Sequence, residues 1–109
     1  MEIHSLADAP GYDDARFVAV PFADGAGSNA RLIRLAPGQA LPPHTHGTSD
    51  LFLFAVEGEA VLDTDAGPVP LPGGTLAVLR GDEELRASNP GSTGVTFLAF
   101  LAPPFPPRG

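Results

Sequence analysis

Gly38-Gln39-Ala40-Leu41-Pro42-Pro43-His44-Thr45-His46 leads through Asp50 into the apolar run Leu51-Phe52-Leu53-Phe54-Ala55-Val56, which stops at Glu57-Gly58. On an extended backbone successive side chains alternate faces, so His44 and His46 point the same way and offer two imidazoles to one centre. The run from Leu51 to Val56 has no polar face, and neither has Val95-Thr96-Phe97-Leu98-Ala99-Phe100-Leu101. A strand apolar on both sides must be covered on both, so one face should fill or line a barrel and the other should meet a second sheet or subunit. Left as an open edge, such a strand invites pairing with other chains, and a homodimer buried through these strands is the expected remedy.

Outward from these runs, thirteen Gly and thirteen Pro punctuate the chain at short intervals. Between them lie apolar or alternating segments of strand length, at residues 16–21, 31–36, 50–57, 59–63, 69–71, 75–80, 84–88 and 94–101. Turn chemistry separates them at Asp24-Gly25, Pro37-Gly38, Asp65-Ala66-Gly67, Pro72-Gly73-Gly74, Gly81-Asp82 and Asn89-Pro90-Gly91. No long segment keeps a helical period, so at most one turn of helix is expected, near Ser5 to Ala9. The pattern is that of an all-β sandwich or barrel. At 109 residues it forms a single domain. Residues 1–28 make an N-terminal segment with a first strand, 29–101 the barrel, and 102–109 a Pro-rich tail. Four prolines in those last eight residues lack an amide proton, so the tail cannot join a sheet. It is expected as a loose end, the alternative being an extended strap laid over a neighbour by Phe105.

Composition removes several classes of function. The chain has no Cys, which excludes disulfides, thiolate metal sites and cysteine nucleophiles. All six basic residues are Arg, so lysine Schiff-base chemistry is excluded as well. A formal charge of −7 without a basic cluster argues against nucleic acid as a partner. The longest apolar run is far short of the roughly 20 residues of a membrane-spanning helix. The first residues lack a basic segment followed by an apolar core, so they do not read as a signal peptide and a cytoplasmic location is expected.

The order of strands, turns and histidines resembles the cupin family, in particular its small single-domain members built on one jelly-roll β-barrel. Gly38, His44, His46 and Gly58 fall on the family's first motif, and Gly74 and Asn89 on its second; the resemblance covers about Leu32 to Leu101. It implies a site of three His and one Glu around a divalent transition metal: iron, manganese, nickel or zinc. This sequence departs from that set. Counting from Gly58 places the family's glutamate at Leu51, and counting from Asn89 places its third histidine at Leu85. Leucine cannot ligate, so the usual site cannot form unchanged. A bulge after Asp50 could turn its carboxylate inward and give His44, His46 and Asp50 as a facial triad. A one-residue slip could bring in Glu84, although it would flip every neighbour on that strand.

With Leu51 and Leu85 inward beside Leu53, the barrel mouth becomes an apolar pocket with histidines on one wall, the alternative being an interior filled by side chains. Arg31, Arg34, Arg80 and Arg86 are placed on an outer strand face rather than in the barrel, where they could meet a carboxylate. His4 and the run Asp82-Glu83-Glu84 are read as surface. The resulting expectation is a small-molecule-binding protein with a weakened metal site and no assigned catalytic residue. The alternative is a metal-dependent oxygenase or isomerase using His44, His46 and Asp50; an interaction module using the apolar strands and tail is a third.

Overall fold

The computed structural model describes residues 1–107. After one turn of 3-10 helix, Leu6–Asp8, the described residues form eight strands: β1 (Val18–Asp24), β2 (Asn29–Leu35), β3 (Asp50–Glu57), β4 (Glu59–Thr64), β5 (Gly67–Pro72), β6 (Leu76–Leu79), β7 (Ala87–Ser88) and β8 (Val95–Ala102). They build two antiparallel sheets, ordered β1-β2-β8-β3-β6 and β5-β4-β7, which close over one apolar core as a jelly roll. Ser5 caps the helical turn by accepting a bond from the Ala7 amide at 3.2 Å.

The strands apolar on both faces are the two central neighbours β8 and β3. Leu51, Leu53 and Ala55 of β3, with Val95, Phe97, Ala99 and Leu101 of β8, are buried inward. Their outward neighbours Phe52 and Phe100 are paired across the strands and remain 44% exposed each, so the described residues leave the second face uncovered. Leu76 and Val78 of β6 continue the same exposed row.

Proline positions explain where strand limits depart from expectation. β5 contains Pro68, Pro70 and Pro72 and runs longer than the predicted 69–71, because it is an edge strand whose missing amide protons would have faced no partner. β1, also an edge, continues past Pro21 through a bulge between Pro21 and Ala23. Residues 84–88 keep only two residues in regular pairing. Their partner on one side is the segment from Gly38 to His44, and Pro42 and Pro43 there have no amide to donate. What survives are isolated bridges, Ala40 with Ser88 and His44 with Leu85.

On the outer face of the large sheet, Tyr12 ties the N-terminal segment down. Its hydroxyl lies 2.8 Å from Glu57 Oε1 and 2.7 Å from Thr96 Oγ1, and Arg34 Nη1 donates to Thr96 Oγ1 at 2.9 Å. The hydrogen bonds from Tyr12 and Thr96 hold the Glu57 carboxyl below its usual range.

Candidate functional site

His44 and His46 are set by backbone contacts on both sides. The His44 amide bonds to the Leu85 carbonyl at 3.3 Å and the Leu85 amide returns a bond to His44 at 2.8 Å. The His46 amide donates to the Gly81 carbonyl at 2.8 Å. That approach demands glycine: a Cβ on Gly81 would strike the backbone of Gly47 and Ser49. Gly47 itself turns the chain at φ +63, a left-handed conformation that lets the loop leave the site immediately after His46.

The two imidazoles meet edge to face with ring centres 4.5 Å apart, as the shared orientation of the two residues predicted. His44 Nδ1 lies 2.8 Å from the Pro42 carbonyl. A carbonyl only accepts, so Nδ1 carries the proton and Nε2 of the neutral ring keeps a lone pair. His46 is buried, and its Nδ1 has no hydrogen-bond partner among the described residues. Burial and, after it, the neighbouring His44 lower the His46 pKa, which keeps that ring neutral at pH 7.

Both rings line a cavity of about 290 Å³ at the barrel mouth. Its walls are apolar: Ile33, Leu41, Leu51, Leu85, Ala99 and Leu101. Leu51 and Leu85 thus stand where the sequence placed them, in the lining beside the histidines. Leu53 does not; it is fully buried in the filled core, away from the cavity lining. The interior is therefore neither all cavity nor all core.

Asp50 lies away from this site. The β3–β8 register is regular at Asp50 and Leu51, which pair with Ala102 and Leu101, and the bulge in β3 falls between Ala55 and Glu57 instead. Leu51 consequently faces inward and the Asp50 side chain is exposed outside the cavity. Glu84 is exposed too, since the bridge from His44 is made to Leu85 with no slip. Among the described residues no three of His, Asp or Glu come close enough together to hold a metal ion. Two imidazoles fall short of the three protein ligands of a typical catalytic zinc site, and Leu51 and Leu85 beside them in the lining cannot ligate. The donors present do not fit the metal that the family resemblance implies.

In two features the structure takes the alternative rather than the leading expectation. Arg31 lines the cavity instead of an outer strand face. The signal was present in the alternation of β2: Ile33 and Leu35 belong to the core, so Arg31, two residues earlier, shares their side of the strand. The Pro-rich tail is a strap, and it crosses its own barrel. Asn29 grips Phe105 twice, donating from Nδ2 to its carbonyl at 2.8 Å and accepting its amide at 3.0 Å. Ser49 Oγ donates to the Pro103 carbonyl at 2.6 Å. Phe105 then lies edge-on to His46 at 5.1 Å and, with Pro106, completes the cavity wall. Residues 108–109 of the predicted tail lie outside the described residues.

A single jelly-roll barrel with paired histidines at its mouth places the protein among the β-barrels whose sites are built at one open end. The chain belongs to the cupin domain family, which matches residues 31–101. No curated protein sequence matches it. Among solved structures it is similar to TT1209 from Thermus thermophilus, with 27% identity over 95% of this chain and 99% of that one at a TM-score of 0.82. An RmlC-like cupin protein from Desulfovibrio desulfuricans is similar at 27% identity, covering 96% and 99% with a TM-score of 0.83. A double-stranded β-helix domain protein from Klebsiella pneumoniae shares the fold at 19% identity, covering 94% and 90% with a TM-score of 0.85. Among the described residues no helix is long and apolar enough to cross a membrane.

Proposed function

We propose that this cupin binds a small, mainly apolar molecule in the cavity at its barrel mouth, without the metal chemistry its family resemblance implies. The observation that carries this reading is the pair Leu51 and Leu85. Both line the cavity at positions the family pattern gives to ligands. Each converts a coordinating direction into apolar wall, and burying a ligand's apolar surface there is favourable by roughly 25 cal/mol per Å². The volume lies at the low end of ligand pockets, which span roughly 300–1,000 Å³, so the ligand is small. His44 Nε2 offers it a hydrogen-bond acceptor, and the neutral His46 adds a polar edge without the cost of a buried charge. The site provides a shaped apolar pocket with a few polar contacts, and no step of catalysis is assigned to it.

The protein acts as a homodimer in this reading. Phe52, Phe100, Leu76 and Val78 form an uncharged row on the outer sheet face of a chain carrying a net charge of −7, so two copies meet with least repulsion there.

Titration of ¹⁵N-labelled protein with benzyl alcohol tests the binding site. Amide shifts should concentrate at Leu41, His44, Thr45, His46, Leu51, Leu85, Ala99, Leu101 and Phe105. Shifts scattered over the surface, or none at millimolar ligand, would remove the cavity as the functional site.

A further inference from the structure

Arg31 is the one cation among the described residues that line the mouth cavity. The other arginines of the expected outer set are committed to carboxylates: Arg34 to Glu57, Arg80 to Asp82 and Glu83, and Arg86 to Asp65 and Glu84. Arg31 has no ion-pair partner among the described residues, and a long bond from Nη2 to the Ala19 carbonyl at 3.4 Å ties it to the protein. A guanidinium carries five N–H donors and stays charged at any physiological pH, so most of its bonding capacity is unspent on protein. It is only partly buried and lines the cavity. Among the described residues no carboxylate supplies its counter-charge.

We infer that Arg31 recognises the carboxylate of a small monocarboxylic acid whose aliphatic or aromatic body fills the apolar cavity. This rests on the cavity being a binding site, as proposed above, and adds the chemical class of its ligand. The planar fork of a guanidinium matches a carboxylate with two parallel N–H to O bonds, a geometry an ammonium cannot offer. One cation suits one negative charge, and a phosphate dianion would leave charge uncompensated beside Ile33 and Leu41. The two imidazoles lack the five-donor fork of the guanidinium. His44 and His46 instead contact the ligand's polar or aromatic remainder, while the leucines cover its hydrocarbon.

Isothermal titration calorimetry with matched pairs, benzoate against benzyl alcohol and hexanoate against hexanol, reads this directly. The acids should bind at least about tenfold more tightly than the alcohols, in line with a hydrogen-bonded charge pair. Arg31→Met should abolish the preference, bringing the acids down to the affinity that the variant itself shows for the matched alcohols. Arg31→Lys, which keeps the charge and loses the fork, should retain only part of the preference. The wild-type comparison stands even if a variant proves unstable. Equal affinity of acid and alcohol overturns the role of Arg31 and leaves the cavity reading intact. An acid preference that survives in folded Arg31→Met also overturns it. Binding of none of the four probes removes the cavity reading, and this inference with it.

Discussion

Restoring the two absent ligand types should recreate a metal site, and the double variant Leu51→Glu, Leu85→His is the direct way to do it. Leu51 is 0% exposed and Leu85 2% exposed, so each substitution forfeits a nearly complete leucine burial, about 1.5–3 kcal/mol. The new carboxylate and imidazole face a cavity with few partners, which adds to the loss. Together the metal-free variant should lose about 4–6 kcal/mol, less some coupling because both side chains line one cavity. For a domain near 100 residues that corresponds to a fall in Tm of about 20 °C or more. Metal should return much of it. Binding to the folded state alone stabilises by about 2.7 kcal/mol at a hundredfold excess over Kd, or about 10–20 °C here. Scanning calorimetry with EDTA and with zinc or nickel gives the thermal shift, and elemental analysis gives the stoichiometry. The expected result is near one metal per chain and a large metal-dependent rise in Tm. If the folded variant takes up no more metal than wild type, then positions 51 and 85 do not converge with His44 and His46, and the account of the leucines is wrong.

The uncharged outer row predicts that Phe52→Glu, which sets two carboxylates against one another across a dimer, weakens association at least about a hundredfold; light scattering should show wild-type dimer and variant monomer, and an unchanged mass contradicts the interface. Removing the Asn29 clamp by Asn29→Ala loses two hydrogen bonds at about 1 kcal/mol each. The Phe105 amide should then exchange with solvent at least about tenfold faster, and unchanged protection would show that the strap is held by packing alone. For Glu57 the folded pKa is lowered by bonds from Tyr12 and Thr96, so its contribution is present above the ordinary value of 4.5 and is lost as pH falls through the folded value. The Tm advantage of wild type over Glu57→Gln should therefore be full at pH 6 and shrink below pH 4.5. A constant gap across that range would mean the carboxylate's charge is immaterial there.

The barrel was legible because its evidence is local: doubly apolar β3 and β8, turns rich in Gly and Pro, and the spacing of His44, His46 and Gly58. The inward leucines followed from counting, and the β3 register agrees, since Leu51 pairs with Leu101 on the buried side. The strap was harder to see. Its four prolines exclude a sheet, but what holds it are side chains far away in sequence, Asn29 at 76 residues from Phe105 and Ser49 at 54 from Pro103, and no local pattern announces such contacts. Arg31 shows the opposite failure. Its inward position was written in the alternation with Ile33 and Leu35, and the general preference of arginine for solvent outweighed it. Asp50 stands one residue from an inward position, and β pairing makes that single residue decisive.

Elemental analysis of untagged protein, purified without chelating resin and compared with a His44→Ala, His46→Ala double variant, bears most directly on the central claim. The account predicts transition metal far below one per chain in both proteins, with the wild type still binding small apolar molecules at the barrel mouth. About one metal per wild-type chain, lost in the variant, would contradict it and show that other groups complete a metal site around the two histidines.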